Sequence, residues 1–347
     1  MPTDSPAGDE IQVSGPLPAD LAAAALDLVR QAAAEDGVSP LSEHVMLHLR
    51  YGGDPRSRNM LLWHDGQLAG YAHLDLTDPV EGPAGEMVIH PAMRRRGLGL
   101  MLIRALAAQA GSAGLRLWAH GDLPAAARLA AAAGFTRSRA LWQMRRSLQT
   151  RIGRPQLADG MTVRTFTPGR DEDAWVRLNH RAFARHPEQG AWTRADLDMR
   201  EREPWFDPSG FFLAERDGEL IGFHWTKIHG GNGAFPQAAS GSASLPRPNG
   251  SGAASASTAG HGHEAIGEVY VVGVDPVARG TGLGRALTLI GLRYLRNRGL
   301  TQVMLYVDET NTAAIGLYAS LGFTHWDTDV MFARHAPPSD APSSPSC

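Results

Sequence analysis

Two stretches of this chain set glycines and arginines at the mouth of a predicted helix, an arrangement suited to holding phosphate. The run Glu268-Val-Tyr-Val-Val-Gly-Val-Asp-Pro-Val-Ala-Arg-Gly-Thr-Gly-Leu-Gly-Arg285 passes from an apolar strand through a glycine-rich turn into a helix. Val88-Ile-His-Pro-Ala-Met-Arg-Arg-Arg-Gly-Leu-Gly-Leu100 repeats it, with Pro91, Gly97 and Gly99 at one constant offset from Pro276, Gly282 and Gly284. Amides left free at a helix N-terminus, beside glycines that let a ligand approach, make a phosphate site. The chain therefore carries two copies of one phosphate-binding unit. A different constellation, His261-Gly-His263, has the residue type of a metal pair. It sits in a Gly/Ser-rich tract without a Cys or acidic cluster, which reads as solvated, and no metal is expected.

The elements that must position these loops come in two similar series. In the first, apolar periodicity predicts a helix over 20–34 ended by Gly37. A second helix follows from Pro40 or Leu41, with Ser39 placed to cap it and Glu43 in its first turn. Strands over 60–64 and 68–76 meet across the hairpin signal Asp65-Gly66. A strand over 87–90, a helix over 98–110, a strand over 115–119, a helix over 124–133 closed by Gly134 and a strand over 137–144 complete the series. After a polar linker over 151–161 the order recurs: a strand over 162–166, helices over 173–183 and 194–202, and strands over 211–214, 220–228 and 268–274. A helix over 284–296, a strand over 302–307, a helix over 313–321 and a strand over 327–332 end it. The layout is mixed α/β, in tandem domains over 17–150 and 162–335. Residues 1–16, an insertion over 230–263 and a tail over 336–347 have compositions that cannot bury enough apolar surface to offset ordering, so disorder is expected there.

Bulk properties narrow the partners. At 347 residues the chain suits two domains of ordinary size, and its formal net charge of −3 gives no electrostatic case for nucleic acid or an anionic membrane. The one cysteine, Cys347, permits no intrachain disulfide. No basic start followed by an apolar run and no apolar stretch of membrane length occur, so a cytoplasmic protein, acting as a monomer, is expected. Of 33 cationic residues only Lys227 is lysine, which singles out that ammonium.

Arg94-x-x-Gly97-x-Gly99 and Arg279-x-x-Gly282-x-Gly284, each between an apolar strand and a helix, resemble the acetyl-CoA loop of the GNAT superfamily of N-acetyltransferases. Asn311-x-Ala313-Ala314-x-x-x-Tyr318-x-x-x-Gly322-Phe323 resembles a second signature of that family. The resemblance implies, in each domain, a central, mostly antiparallel sheet flanked by helices, with acetyl-CoA as co-substrate and one copy possible per domain. It assigns acetyl-CoA contacts in the first copy to Met87, Val88, Ile89, Arg95, Arg96, Gly97, Leu98, Gly99 and Leu100. In the second they fall to Val272, Gly273, Val274, Arg279, Gly280, Thr281, Gly282, Leu283, Gly284 and Arg285, followed by Asn311, Thr312, Ala313, Ala314, Ile315 and Gly316.

Further motifs resemble one tandem-domain branch of the superfamily over about residues 15–335: His90-Pro91, Trp118-Ala-His-Gly121, Gln143-Met-Arg-Arg146, His186-Pro-Glu-Gln-Gly190, Trp205-Phe-Asp-Pro208, Gly222-Phe-His-Trp-Thr-Lys227 and Gly267-Glu-Val-Tyr270. This likeness implies direct acetylation, in a ternary complex, of the cysteinyl amine of a small thiol precursor, cysteinyl-glucosaminyl-inositol. It assigns the substrate contacts to Glu43, Glu188, Lys227, Glu268 and Tyr306.

Acetyl transfer needs a base for the amine, polarisation of the carbonyl and an acid for the thiolate. Only the second copy is equipped: at the repeat offset Pro83 stands for Glu268, and once the three residues that the second copy gains before Gly322-Phe323 are allowed for, Ala130 and Leu123 stand for Tyr318 and Asn311. Glu268 is the expected general base, through water, and Tyr318 the general acid. The first copy either binds acetyl-CoA without turning it over or keeps a vacant loop. Another small amine or a protein N-terminus as acceptor, or a non-catalytic acetyl-CoA-binding module, are the competing readings.

Overall fold

A computed structural model describes residues 8–78, 81–184, 187–230 and 265–334. Apart from Gly230, the segment expected to be an insertion, with its His261-Gly-His263 pair, and the tail lie outside the described residues. In chain order the elements begin β1 (Asp9–Ser14), α1 (Ala19–Asp36), α2 (Glu43–Tyr51), β2 (Arg58–His64), β3 (Gln67–Asp75), β4 (Ala84–Ile89), α3 (Leu98–Ala110), β5 (Leu115–Ala119), α4 (Pro124–Ala132) and β6 (Thr136–Ser147). They continue β7 (Met161–Thr165), α5 (Glu172–Ala182), α6 (Pro187–Gly190), α7 (Arg194–Glu201), β8 (Phe211–Arg216), β9 (Glu219–His229), β10 (Ile266–Val274), α8 (Leu283–Asn297), β11 (Gln302–Asp308), α9 (Thr312–Ser320) and β12 (Thr324–Arg334). No helix among the described residues is long and apolar enough to cross a membrane.

Two local expectations are corrected. Disorder over 1–16 does not hold for Asp9–Ser14, which forms β1 antiparallel to β2 from Asp9↔His64 to Ser14↔Asn59. Its few apolar residues suffice because an edge strand gains its ladder from a neighbour. The second helix begins at Glu43, with Ser42 rather than Ser39 as N-cap, its side chain accepting from the Val45 amide. The Ser39 hydroxyl instead donates to the Leu41 carbonyl at 2.8 Å.

Internal contacts divide the chain into two units, residues 1–144 with 179–200 and 306–347, and residues 145–178 with 201–305. This differs from a cut at the 151–161 linker, because strands near the chain's end belong with its beginning.

In the first unit β1 to β4 are successively antiparallel, β5 joins β4 in parallel, and β12 joins β5 antiparallel from Val330↔Ala119 to Arg334↔Leu115. Strand alternation separates two cores. On one face Leu61, Tyr71 and Val88 meet Leu28, Val29 and Ala32 of α1 and Val45 of α2. On the other Met60, Leu62, Ala72 and Leu74 meet Leu98, Leu102 and Leu106 of α3, with Phe332 of β12.

Beneath α2 this unit buries two imidazoles, His48 and His73, beside the part-exposed ring of His44. His44 and His48 rings stand 4.1 Å apart, and His48 and His73 5.3 Å. Burial, with the neighbouring imidazoles, lowers His48 to about 3, and burial lowers His73 to about 4. Asp75, Glu86 and Asp196 face them and oppose the shift. Both are neutral in the folded state, so the unfolded chain takes up protons first as pH falls below the ordinary histidine value. Their contribution is present above that value and is lost as pH falls toward about 4. Each tenfold difference in proton affinity is worth about 1.4 kcal/mol. Melting followed by fluorescence between neutrality and pH 4 is expected to show a steep loss of Tm, shallower in His48→Leu; identical slopes would exclude these imidazoles as the cause.

In the second unit β7, β8, β9 and β10 are successively antiparallel, and β11 joins β10 in parallel. Leu283 and Leu287 of α8 pack on Ala214 and Ile221. An aromatic core fills another part of the unit, where Phe211 stacks on Trp225 at 4.5 Å and Trp175 abuts Phe223 at 5.2 Å. Gly291, inside α8, is required by close approach: a Cβ there would lie 2.0 Å from Cε1 of His224. That buried ring donates through Nδ1 to the Leu287 carbonyl at 2.8 Å, and burial lowers it to about 4.

Candidate active site

The glycine loops are built alike in both units. Each follows a strand, passes a one-turn 3₁₀ segment over Pro91–Met93 or Pro276–Ala278, and enters its helix through a left-handed glycine, Gly97 at φ 85° or Gly282 at φ 83°. Neither α3 nor α8 has a side chain capping its N-terminus. The first-turn amides are thus left to an external acceptor, and any residue with a Cβ at Gly97 or Gly282 would be strained.

The strands leading in also share a feature. β4 pairs with β5 only at Ala84↔Arg116 and Gly85↔Leu117, and β10 with β11 only at Gly267↔Val303 and Glu268↔Met304. Beyond those residues the parallel edge opens, so that Met87–Ile89 and Val272–Val274 border a split in the sheet. Backbone groups along such an edge can bind an extended, amide-bearing ligand by strand addition. Uncapped amides for phosphate and an open edge for a pantetheine arm fit the two ends of one coenzyme A.

The cations of the loops differ in burial. Arg94 grips Asp36 with two hydrogen bonds of 2.7 Å and donates from Nε to the Ile89 carbonyl, so it holds the loop onto α1. Arg95 and Arg96 are exposed, as are Arg279 and Arg285 in the second unit. Thr281 spends its hydroxyl on the Ala278 carbonyl.

Around Glu268 the second unit assembles a polar face on β9 and β10. Glu268 is 6% exposed and lies opposite Lys227 in the ladder. A bulge between Val269 and Val271 interrupts the register beside it, a feature that re-aims side chains. Lys227 is buried, with Nζ 4.5 Å from the Trp205 ring centre and 5.1 Å from that of Tyr270. Two π faces thus hold the chain's one ammonium beside the carboxylate. Asp207, in the same motif as Trp205, accepts from the Ser209 amide and the Tyr294 hydroxyl. Burial opposes its ionisation, but those hydrogen bonds hold its carboxyl below the usual range, marking it as an anchor of the motif.

The remaining expected residues fall in the first unit. Asn311 caps α9, its Oδ1 accepting from the Ala314 amide at 3.1 Å, which leaves Thr312 and Ala313 exposed in the first turn with Gly316 one turn on. Ala314 and Ile315 are half-buried. Tyr318 on α9 packs against Phe323 at 5.8 Å between ring centres, and burial pushes its phenol up to about 12. The phenol therefore keeps its proton at neutral pH. Tyr306 is 39% exposed and its hydroxyl accepts from Gln143 Nε2 at 2.8 Å. Glu43 is the first residue of α2 and half-buried, and Glu188 lies in α6. Glu268 and Lys227 are therefore brought together in one unit, while Glu43, Glu188, Tyr306 and Tyr318 belong to the other.

Sequence reasoning missed one partner. His229 Nε2 lies 2.6 Å from Oε2 of Glu268. The alternation Lys227-x-His229 puts both on one face of β9, but their register against β10 depends on a connection outside the described residues. Among the described residues no group of three or more His, Cys, Asp or Glu side chains is arranged to hold a metal ion.

The comparisons with known proteins agree with this architecture. The sequence model of the acetyltransferase (GNAT) family matches residues 25–135 and 174–323. A mycothiol acetyltransferase of Acidothermus cellulolyticus is 57% identical over 95% of this chain and 96% of its own. One of Thermobispora bispora is also 57% identical, over 90% of this chain and 95% of its own. Among solved structures, a tandem GNAT protein from the clavulanic acid biosynthesis pathway superposes with a TM-score of 0.63 at 24% identity, covering 95% of this chain and all of that one. A GCN5-related N-acetyltransferase from Sphaerobacter thermophilus gives a TM-score of 0.60 at 24% identity, over 94% of this chain and 96% of that one. At such identities these two structures speak to the fold alone. The chain is an acyltransferase that belongs to the acetyltransferase (GNAT) family, in its tandem-domain mycothiol acetyltransferase branch.

Proposed function

We propose that this enzyme transfers the acetyl group of acetyl-CoA directly to the cysteinyl amine of cysteinyl-glucosaminyl-inositol, forming mycothiol in a ternary complex. The observation that carries the reading is the 57% identity to a relative named mycothiol acetyltransferase over nearly the full length of both chains. The work would be done in the cytoplasm by a monomer.

In this reading Glu268 takes a proton from the amine, through water, as the nitrogen attacks the thioester carbonyl. Backbone amides around Val272–Val274, on the open side of β10, polarise that carbonyl, and the loop from Arg279 to Arg285 with the start of α9 holds the coenzyme's phosphates. As the C–S bond breaks, Tyr318 gives its proton to the leaving thiolate; a phenol held at about 12 is protonated and ready to do so. Glu43, Glu188, Lys227 and Tyr306 contact the polyhydroxylated acceptor. Lys227, fixed over its two rings, is suited to donate to hydroxyl groups. The first copy binds acetyl-CoA without turning it over, through Met87–Ile89 and Arg95–Leu100.

The reading is tested by following CoA release from acetyl-CoA with the cysteinyl pseudodisaccharide, an aminoglycoside and a peptide N-terminus offered separately. Preferred turnover of the first supports it. Preference for either other amine would replace the acceptor, and no release with any would reject catalysis.

A further inference from the structure

The carboxylate read as the base has a hydrogen-bonding neighbour to which no role has been given. β9 and β10 are antiparallel, with Glu268 opposite Lys227 and Ile266 opposite His229. His229 is therefore the diagonal neighbour of Glu268 on the same face, within side-chain reach across a ladder. The 2.6 Å contact between Nε2 and Oε2 is the hydrogen bond this geometry allows. The Glu268 side chain is 8% exposed and that of His229 34%, so the imidazole stands between the carboxylate and solvent.

A base is effective only when its lone pair points at the proton it removes, and a glutamate side chain turns freely about its last bond unless one oxygen is held. Nearby, Lys227 is held over Trp205 and Tyr270. His229 reaches the carboxylate itself, Nε2 to Oε2.

We propose that His229 is the positioning residue of the reaction: its ring donates Nε2–H to Oε2 of Glu268 and so aims Oε1 at the amine or its bridging water. The inference rests on the reading of Glu268 as base. The chemistry balances without a proton leaving His229. One proton passes from the amine to Oε1 of Glu268 as the C–N bond forms, and another passes from Tyr318 to the thiolate as the C–S bond breaks.

Steady-state acetyl transfer by the full chain tests this with four variants. His229→Ala is expected to lower kcat roughly ten- to a hundredfold, the scale of a misaimed catalytic group, with KM for acetyl-CoA unchanged. His229→Gln, whose amide nitrogen can donate to the same oxygen, is expected to recover most of that loss. Glu268→Gln and the double variant Glu268→Gln/His229→Ala should be equally slow, since a residue acting only through Glu268 has nothing further to lose. Wild-type kcat in His229→Ala, no recovery in His229→Gln, or an additional loss in the double variant would each overturn the proposal. If instead Glu268→Gln turns over at the wild-type rate, the reading of the base fails, and the inference with it. A slow Glu268→Gln beside an unimpaired His229→Ala would sink the inference alone.

Discussion

Glu268→Gln is expected to lower kcat for acetyl transfer by about two to four orders of magnitude, the range associated with loss of a general base. Affinity for acetyl-CoA should stay within about twofold of wild type. The substitution is nearly isosteric, and Gln can still accept the hydrogen bond that His229 offers at 2.6 Å. What it removes is the negative charge and the basic lone pair. The glycine loop is separately built, its first-turn amides fixed by left-handed Gly282 and the apolar anchors Leu283 and Leu287. Binding and chemistry should therefore separate: calorimetry with acetyl-CoA unchanged, CoA release nearly abolished. Near wild-type turnover would reduce Glu268 to a structural carboxylate. Loss of acetyl-CoA binding would mean that β10 had been disturbed and that the test had reported on folding.

What could be read in the sequence was local. Gly37 ends α1 in the left-handed region because a glycine can adopt φ 72° without strain. Asp65 and Gly66 turn the β2–β3 hairpin with both φ values positive, as an Asp-Gly pair between apolar strands predicts. The build of the glycine loops was legible for the same reason: strand, glycine turn and helix start lie within about twenty residues of chain. Pairing across long separations was not legible. Periodicity marks β12 as a strand but is silent on its neighbour, and the structure puts it beside β5. The same limit hid His229, whose partner lies 39 residues away. It also hid the buried charges around His120, whose motif was legible only as a likeness. Two residues of the recognised motifs, Arg94 and Asp207, proved to be anchors, since a motif preserves what holds a site in place as well as what acts in it.

His120→Ala is expected to cost about 3–5 kcal/mol of stability, the scale for breaking a buried ion pair from one side. Its ring lies between two carboxylates, with Nδ1 3.0 Å from Asp329 and Nε2 3.6 Å from Glu86. Asp329, on β12, also accepts from the Gly121 amide at 2.9 Å, and Glu86, on β4, from the Ser42 amide at 2.6 Å. Burial alone would lower the imidazole's proton affinity, but the hydrogen bond to Asp329 and the nearby charges of Asp329 and Glu86 overturn that and raise it to about 10. Burial likewise opposes ionisation of Glu86, and His120 with the Ser42 amide holds its carboxyl below the usual range. Removing the ring leaves two carboxylates in a site with no cation between them. For a unit of this size the loss corresponds to a fall in Tm of roughly 10 °C.

The pH dependence separates this ion triad from simple packing. The folded-state value of His120 lies above the unfolded one, so its contribution is fully present below the ordinary histidine value of 6.5 and is lost as pH rises through about 10. Wild-type Tm should therefore decline on the alkaline side more steeply than that of His120→Ala, the two curves converging toward pH 10. Parallel curves would show that the variant lost only volume. Because Asp329 sits one residue before the first β12–β5 pair, Val330↔Ala119, the same variant should also speed hydrogen exchange along β12. Unchanged protection there would mean that the ladder, and not the imidazolium, keeps the chain's last strand in the first unit's sheet.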